Sequence, residues 1–273
     1  MQFFDVEGHA RSLLPEGRQW RLIWADEFDG TVLDRNKWDY RLHLMHERHR
    51  PFTTMGVELR DDSCVRLNLI KENGHYYSPH LQTGYNFMDE PPANGQYGKF
   101  TWPIAEFKKH KFLHRYGYYE CRCQLQKQKG WWSAFWLQSP IIGCSPDPAV
   151  SGVEVDVMES FEPGQVSWPM LHWSGYGADH QQEAARQPGE YAYFENDFHT
   201  FGVLWEPDGY TFFYDGLQTG NKTQQAVSHT DQFILISTEC KGYRNGDQPA
   251  AELKDAVLPD AFIVDHVRVF DWV

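Results

Sequence analysis

The sequence predicts an all-β protein built as a two-sheet sandwich or barrel, and three observations predict it. Short runs alternating apolar and polar residues recur along the whole chain. Gly, Pro, Asn and Asp punctuate the gaps between them, as in "EPDGY" and "YDGLQTG". Helical periodicity is nearly absent, and many short, regularly spaced strands are the pattern of stacked or closed antiparallel sheets.

Taken in order, the expected strands are "WRLIW" (20–24), "CVRLNLI" (64–70), "YYECRCQLQ" (118–126), "WSAFWLQ" (132–138), "PMLHW" (169–173), "FHTFGVLW" (198–205), "YTFFYDG" (210–216), "QFILIST" (232–238) and "AFIVDHVRVFDW" (261–272). The 118–126 run sets Tyr119, Cys121, Cys123 and Leu125 against Glu120, Arg122, Gln124 and Gln126, the period of a sheet with one dry and one wet face. The best helix candidate is "DHQQEAARQ" at 179–187. Loops over about 40–56 and 86–115 are expected to border any groove, because loops on a rigid sandwich carry specificity. No linker, repeat or low-complexity block interrupts the pattern, so residues 1–273 are expected to form one domain.

Composition narrows the function. The chain carries 38 acidic residues against 25 Lys and Arg, a formal charge of −13. That balance disfavours nucleic acid, whose binding rests on neutralising phosphates, and anionic ligands generally. Arg48, Arg50, Arg115 and Arg244 are the residues from which a local basic exception would be built. With 11 Trp, 14 Tyr and 18 Phe, rings exceed the ordinary needs of a core, and flat apolar faces suit sugar binding. No apolar stretch approaches a membrane span, so no membrane contact is expected. The opening "MQFFDVEGHARSLLPEG" lacks the pattern of a signal peptide, which leaves an intracellular protein or one whose leader has been removed. The five cysteines are expected as free, partly buried thiols. In "HLMHERHRP", His43, His46 and His49 lack zinc-ligand spacing and read as a solvated or substrate-facing loop.

The chemistry concentrates in "GVEVDVMES" (152–160), where Glu154, Asp156 and Glu159 fall within six residues. On a regular strand the first two share a face and Glu159 points the other way. One extra residue at Val157–Met158, a β-bulge, would return Glu159 to the face of the others, and bulges are frequent beside active sites. Three like charges on one face repel and push their pKa values apart, so one carboxyl keeps its proton while another stays ionised. A proton donor beside a nucleophile is what a retaining glycosidase needs, with working carboxyls about 5–5.5 Å apart. Four strand steps separate the two Glu Cα atoms by about 13 Å, a gap long side chains on a curved sheet can close.

The residues resemble glycoside hydrolase family 16. "WADEFDG" with "LDRNKWDY" is similar to that family's opening, and "YGYYECRCQLQKQKGWWSAFWLQ" to its strand pair ending in G-x-W-P-A-F-W. "EVDVMES" fits its bulged E-x-D-x-x-E catalytic strand, followed by "LHW", "FHTFGVLWEPDGYTFFYDG" and "VDHVRVFDW" in the family's order. The resemblance implies a concanavalin-like jelly-roll β-sandwich with an open concave cleft, and retaining hydrolysis of internal β-linkages. It implies Glu154 as nucleophile, Glu159 as general acid/base and Asp156 as the assisting acid. Trp131, Trp132, Trp136, His172 and Glu239 are carried over as substrate-binding positions, and Asp265 of the last strand as a ligand of a structural calcium remote from the cleft. No cofactor is expected for the chemistry.

The expected substrate is a polysaccharide or oligosaccharide, a β-1,3- or mixed-linkage β-glucan first, cut by a monomer. The chain departs from the β-1,3-glucanase pattern at Ser133, where the family has Pro, and in "LISTECKGYRNG", which lacks the family's Trp. A galactanase or agarase acting by the same chemistry is therefore the alternative substrate reading, and transglycosylation the alternative fate of the intermediate. The alternative of another class is a non-catalytic, lectin-like carbohydrate-binding protein.

Overall fold

The computed structural model describes residues 1–89, 92–97, 100–105, 108–185, 192–193 and 197–273, with 92–97, 100–105 and 192–193 described by backbone alone. Two large, predominantly antiparallel sheets dominate it. The first runs Ile70–Glu72, His75–Gln82, Phe233–Cys240, Trp131–Gln138, Glu154–Ser160, Met170–Trp173, Gln181–Ala184, with Asp39–Tyr40 and Phe52–Thr53 also pairing with His75–Gln82. The second runs Leu217–Gln218, Gly209–Tyr214, His199–Glu206, Gly117–Gln124, Ala261–Trp272, Cys64–Asn68, Val57–Arg60, with Trp20–Asp26 added alongside Ala261–Trp272.

The sheets enclose one apolar layer, to which Tyr119, Cys121 and Cys123 of the second sheet and Phe135, Val155, Leu171 and Ile236 of the first contribute. Each comes from the dry phase of a period-2 strand, as such a sandwich requires. The five cysteines are free thiols, with Cys144 alone exposed.

Three expectations are corrected. The run at 179–187 is not a helix: Gln181–Ala184 pairs as a strand with Met170–Trp173, because an available sheet edge outweighs weak helix propensity; residues 186 and 187 lie outside the described residues. The 86–115 segment is not simply loop, since Pro92–Tyr97 and Phe100–Ala105 pair as a hairpin. The wet face of 118–126 is not wet: Glu120 and Gln126 are buried. A hairpin of Gln2–Phe4 and Ser12–Leu14 lies over the outer side of the second sheet, packing Leu14 and Phe4 against Tyr118, Leu204 and Phe270.

Candidate active site

The site grows from one irregularity. Along the pairing of Trp131–Gln138 with Glu154–Ser160, Phe135 faces Met158 and the next residue, Trp136, faces Asp156. Val157 is the extra residue, and the bulge lies where the acid spacing requires it. Its consequence is a clean partition: Val155, Val157 and Met158 are wholly buried in the core, while Glu154, Asp156 and Glu159 line a cleft on the opposite face. A regular strand would have had to place either Met158 in the cleft or Glu159 in the core.

The cleft has a volume of about 1010 Å³ and crosses the first sheet, with His80, Trp136, the three acids, His172 and Ala184 among its lining residues. Arg41, Leu44, Met45 and Phe52 reach it from the 40–56 segment, as expected of that loop.

Each carboxyl has a different setting. Glu154 Oε2 accepts from Gln138 Nε2 at 2.9 Å and from the Tyr176 hydroxyl. The Gln138 amide also contacts Tyr176 at 2.5 Å. Tyr176 is delivered by a turn in which Gly143 and Gly175 touch; a Cβ on Gly143 would lie 2.8 Å from the Gly175 Cα, and both residues have positive φ. Burial, and then the charge of Asp156, push Glu154 up to about 7, against the pull of His172 and the Tyr176 bond. Glu159 is driven well above the ordinary carboxylate range by burial and by the charges of Asp156 and Glu154. No described residue hydrogen-bonds the Glu159 side chain, while its backbone carbonyl is anchored by Ser167 N at 2.9 Å.

Asp156 faces His172, with Oδ2 and Nε2 3.2 Å apart. His172 Nδ1 lies 3.0 Å from His180 Nε2, and the two rings stack at 5.1 Å. Burial pulls the His172 imidazole down, but the hydrogen bond and charge of Asp156 outweigh it, leaving His172 above its ordinary value. Cross-strand register creates this row: Trp136 pairs with Asp156, Asp156 with Met170 and Glu154 with His172.

At the Glu159 end, Glu239 is buried and accepts both arms of Arg244, at 2.7 and 2.8 Å, with His49 Nε2 3.4 Å away. Burial works against ionisation of Glu239, yet Arg244 and His49 hold it below the usual value. The Arg244 guanidinium sits 5.3 Å from the Trp132 ring centre, and Phe161 lies against that ring at 5.7 Å. Trp136 donates to Ser237 Oγ at 3.0 Å and carries Arg41 over its ring, with Arg41 ion-paired to Asp89 at 2.6 Å.

Seven of the nine site positions expected from the sequence thus converge: Glu154, Asp156, Glu159, Trp132, Trp136, His172 and Glu239. Trp131 does not. It is wholly buried, donates to Asp260 Oδ2 at 3.1 Å and packs with Leu69, Tyr76 and Leu253, because strand alternation turns it away from the face of Trp132. Asp265 is on the other sheet, away from the cleft. Its Oδ2 accepts from Arg122 at 2.8 Å and faces His266 Nδ1 at 3.3 Å. Two nitrogen cations against one carboxylate do not fit a calcium cage, which needs converging oxygens. Sequence reasoning missed Gln138, Tyr176, His180, Arg41 and His80. Of the arginines held out as a basic exception, Arg244 alone lines the cleft.

Comparison with known proteins places the fold and the family. The chain is 28% identical over 274 residues to the glucan endo-1,3-beta-glucosidase A1 of Niallia circulans, covering 91% of this chain and 37% of that protein. It therefore spans little more than a third of that relative's length. It is 23% identical to the beta-glucanase of Rhodothermus marinus, over 93% of this chain and 86% of the other. Among solved structures, the catalytic domain of an endo-1,3-beta-glucanase (laminarinase) from Thermotoga petrophila RKU-1 superposes with a TM-score of 0.66 at 22% identity, covering 94% of this chain and 99% of that one. The fold is theirs. The model of the glycosyl hydrolases family 16 matches residues 96–241, more than half of the chain and the whole acid strand, and the chain belongs to that family.

Proposed function

We propose that the protein is a retaining endo-β-glycosidase acting on a neutral β-glucan, with β-1,3 or mixed β-1,3/β-1,4 linkages. The observation that carries the reading is the bulged strand, which directs three carboxyls into one cleft and gives two of them opposite surroundings. Glu154, fixed by Gln138 and Tyr176, is the nucleophile; those two bonds stabilise its ionised form and aim one oxygen at the anomeric carbon. Glu159 is the general acid/base. Its raised pKa favours the protonated form, and no described residue hydrogen-bonds its side chain, which leaves it to meet the glycosidic oxygen.

In the first step Glu154 forms an ester to the anomeric carbon while Glu159 protonates the departing sugar oxygen. Glu159, now ionised, then takes a proton from water, and the resulting hydroxide cleaves the ester and restores both groups. Asp156 and His172 form a positioned ion pair beside the nucleophile, so Glu154 feels part of a positive charge as well as the Asp156 anion. Trp132 and Trp136 offer ring faces to sugars.

Neutrality of the substrate is supported by the cleft's own charges. Its two arginines are each engaged by a buried carboxylate, Arg41 by Asp89 and Arg244 by Glu239, so neither is free for a sulfate or carboxylate. The names of the Niallia circulans and Rhodothermus marinus relatives favour a β-glucan over a galactan. The test is reducing-end release from laminarin, mixed-linkage β-glucan, agarose, neutral galactan and xyloglucan. Oligosaccharides from laminarin or mixed-linkage glucan, absent with Glu154→Gln, are the expected result. Cleavage of a galactan alone would replace the substrate, and glycan binding without cleavage would replace the enzyme by a lectin.

A further inference from the structure

Beyond the cleft lies a second concavity of about 820 Å³, and its chemistry is unlike the first. Four of its nine described lining residues are carboxamides: Gln182 on the outermost strand of the cleft sheet, and Asn221, Gln224 and Gln225 on a segment reaching over from the other sheet; Glu183 adds one carboxylate, which disfavours an anion. All four are exposed. Met170 and Ala184 line both concavities, so the two adjoin at these residues.

Register shows where they join. Trp136 pairs with Asp156, Asp156 with Met170, and Met170 with Ala184. The row that starts at the acids therefore runs outward, over two more strands, straight to the second groove. At about 4.8 Å per strand, the junction lies roughly 10 Å from Asp156, beyond the sugars flanking the cut bond.

The far wall is held in place. Tyr210 and Thr223 exchange backbone hydrogen bonds of 2.9 Å in both directions, and Lys222 is tied down by Glu206 at 2.8 Å and by Asp208. Lys222, the one cation among the groove's described lining residues, is thereby engaged, and the exposed carboxamides that remain both donate and accept. Such amide groups match the paired hydroxyls of a neutral sugar, whereas to a phosphate or sulfate they offer N–H donors but no balancing charge.

We propose that this groove binds neutral glycosyl units of the glycan being cleaved, supplied by a side branch or by continuation of the main chain. The inference rests on the endo-β-glycosidase reading of the cleft. It assigns Gln182, Gln224 and Gln225 as substrate-binding residues outside the catalytic row.

The test uses the triple variant Gln182→Ala/Gln224→Ala/Gln225→Ala, whose changed side chains are exposed. Initial rates are compared on branched laminarin and on linear laminarihexaose, and affinities are measured for both glycans in the Glu154→Gln background. The expected result is a rise in KM of about tenfold on laminarin at nearly constant kcat, with a matching loss of affinity in the inactive background. If laminarihexaose is unaffected, the bound units belong to a branch; if it weakens equally, they belong to the main chain. Unchanged KM and affinity on both glycans, with the wild type active, would overturn the groove and leave the cleft reading standing. A wild type inactive on every glycan of the panel would remove the reading and the groove with it.

Discussion

Two buried polar clusters, one on each sheet, share the same kinds of residue and differ in how their charges are balanced. On the second sheet, beneath the N-terminal hairpin, Glu27, Glu120 and Asp265 meet Arg122, His266 and Arg268. Arg268 is wholly buried; it holds Glu27 through two bonds of 2.8 and 2.6 Å, and also the Ala10 carbonyl and Ser12 hydroxyl. His266 stands between Glu120 and Asp265 at 3.3 Å from each. Three acids face three bases. In the cleft, once Arg41 and Arg244 are assigned to Asp89 and Glu239, the one imidazole ion-paired with any of the three carboxyls among the described residues is His172.

The difference teaches what makes a buried cluster reactive. Balanced charge lowers Asp265 and raises His266, favouring the ionised form of each. Unbalanced charge and burial raise both Glu154 and Glu159, and Glu154, at about 7, exchanges its proton near neutral pH. One cluster tethers a hairpin; the other is poised for acid–base work.

Single substitutions should separate the two. Glu154→Gln is expected to lower kcat about 10,000-fold or more with the fold and glycan affinity kept, since it removes the proposed nucleophile and relieves like-charge crowding. Turnover within tenfold of the wild type would mean that the unbalanced cluster is not the reactive one. Arg268→Met is expected to do the reverse. It strands Glu27 and Glu120 without their cation and should cost about 3–5 kcal/mol of stability in denaturant titration. Its kcat at a temperature where the variant remains folded should stay near the wild-type value.

The pH dependence of stability sharpens the same contrast. Glu154 and Glu159 have folded pKa values above the ordinary one, so their contribution to stability is fully present below about 4.5. It is lost as pH rises, through about 7 for Glu154 and through the raised folded value of Glu159. Asp265, lowered, contributes above about 3.8 and loses its contribution as pH falls through its folded value. Melting temperature should therefore fall between pH 5 and 8 in the wild type. For Glu154 alone the underlying change is on the order of 3 kcal/mol. Glu154→Gln should flatten that fall, and an equally steep fall in the variant would show that the cleft acids do not titrate as described. Activity should show the corresponding acid limb near pH 7 in kcat/KM, where the nucleophile takes up its proton.

The two clusters were also unequally legible in the sequence. The acids could be read because their spacing, two and then three, is compatible with one face only through a bulge, and Val157 is that bulge. The alternating strands gave the sandwich for the same reason, since period 2 is a backbone property. Tyr176, Gln138 and His180 could not be read. Tyr176 depends on a glycine-to-glycine contact between distant loops, and the others depend on strand register, which no local pattern specifies. The balanced cluster was misread as a wet face because a hairpin contributed by residues 2–14 covers it.

Trp131 and Trp132 give the smallest and most local test, because alternation alone decides which of two adjacent rings meets the substrate. Trp131 faces the end of the core, where it donates to Asp260, and Asp260 keeps the backbone amides of Lys127 and Gln128 if that bond is removed. Trp131→Phe should thus cost about 1 kcal/mol of stability and leave KM unchanged. Trp132 stands half-buried in the cleft with Arg244 over its ring, so Trp132→Ala should raise KM several-fold, at about 0.5–1.5 kcal/mol of lost ring contact, with little effect on melting. A raised KM in Trp131→Phe at unaltered stability would mean that the strand presents its odd-numbered residues to the cleft. That arrangement would turn Trp136 and its Asp156 partner away from the cleft as well, so this pair of variants checks the register on which the catalytic row depends.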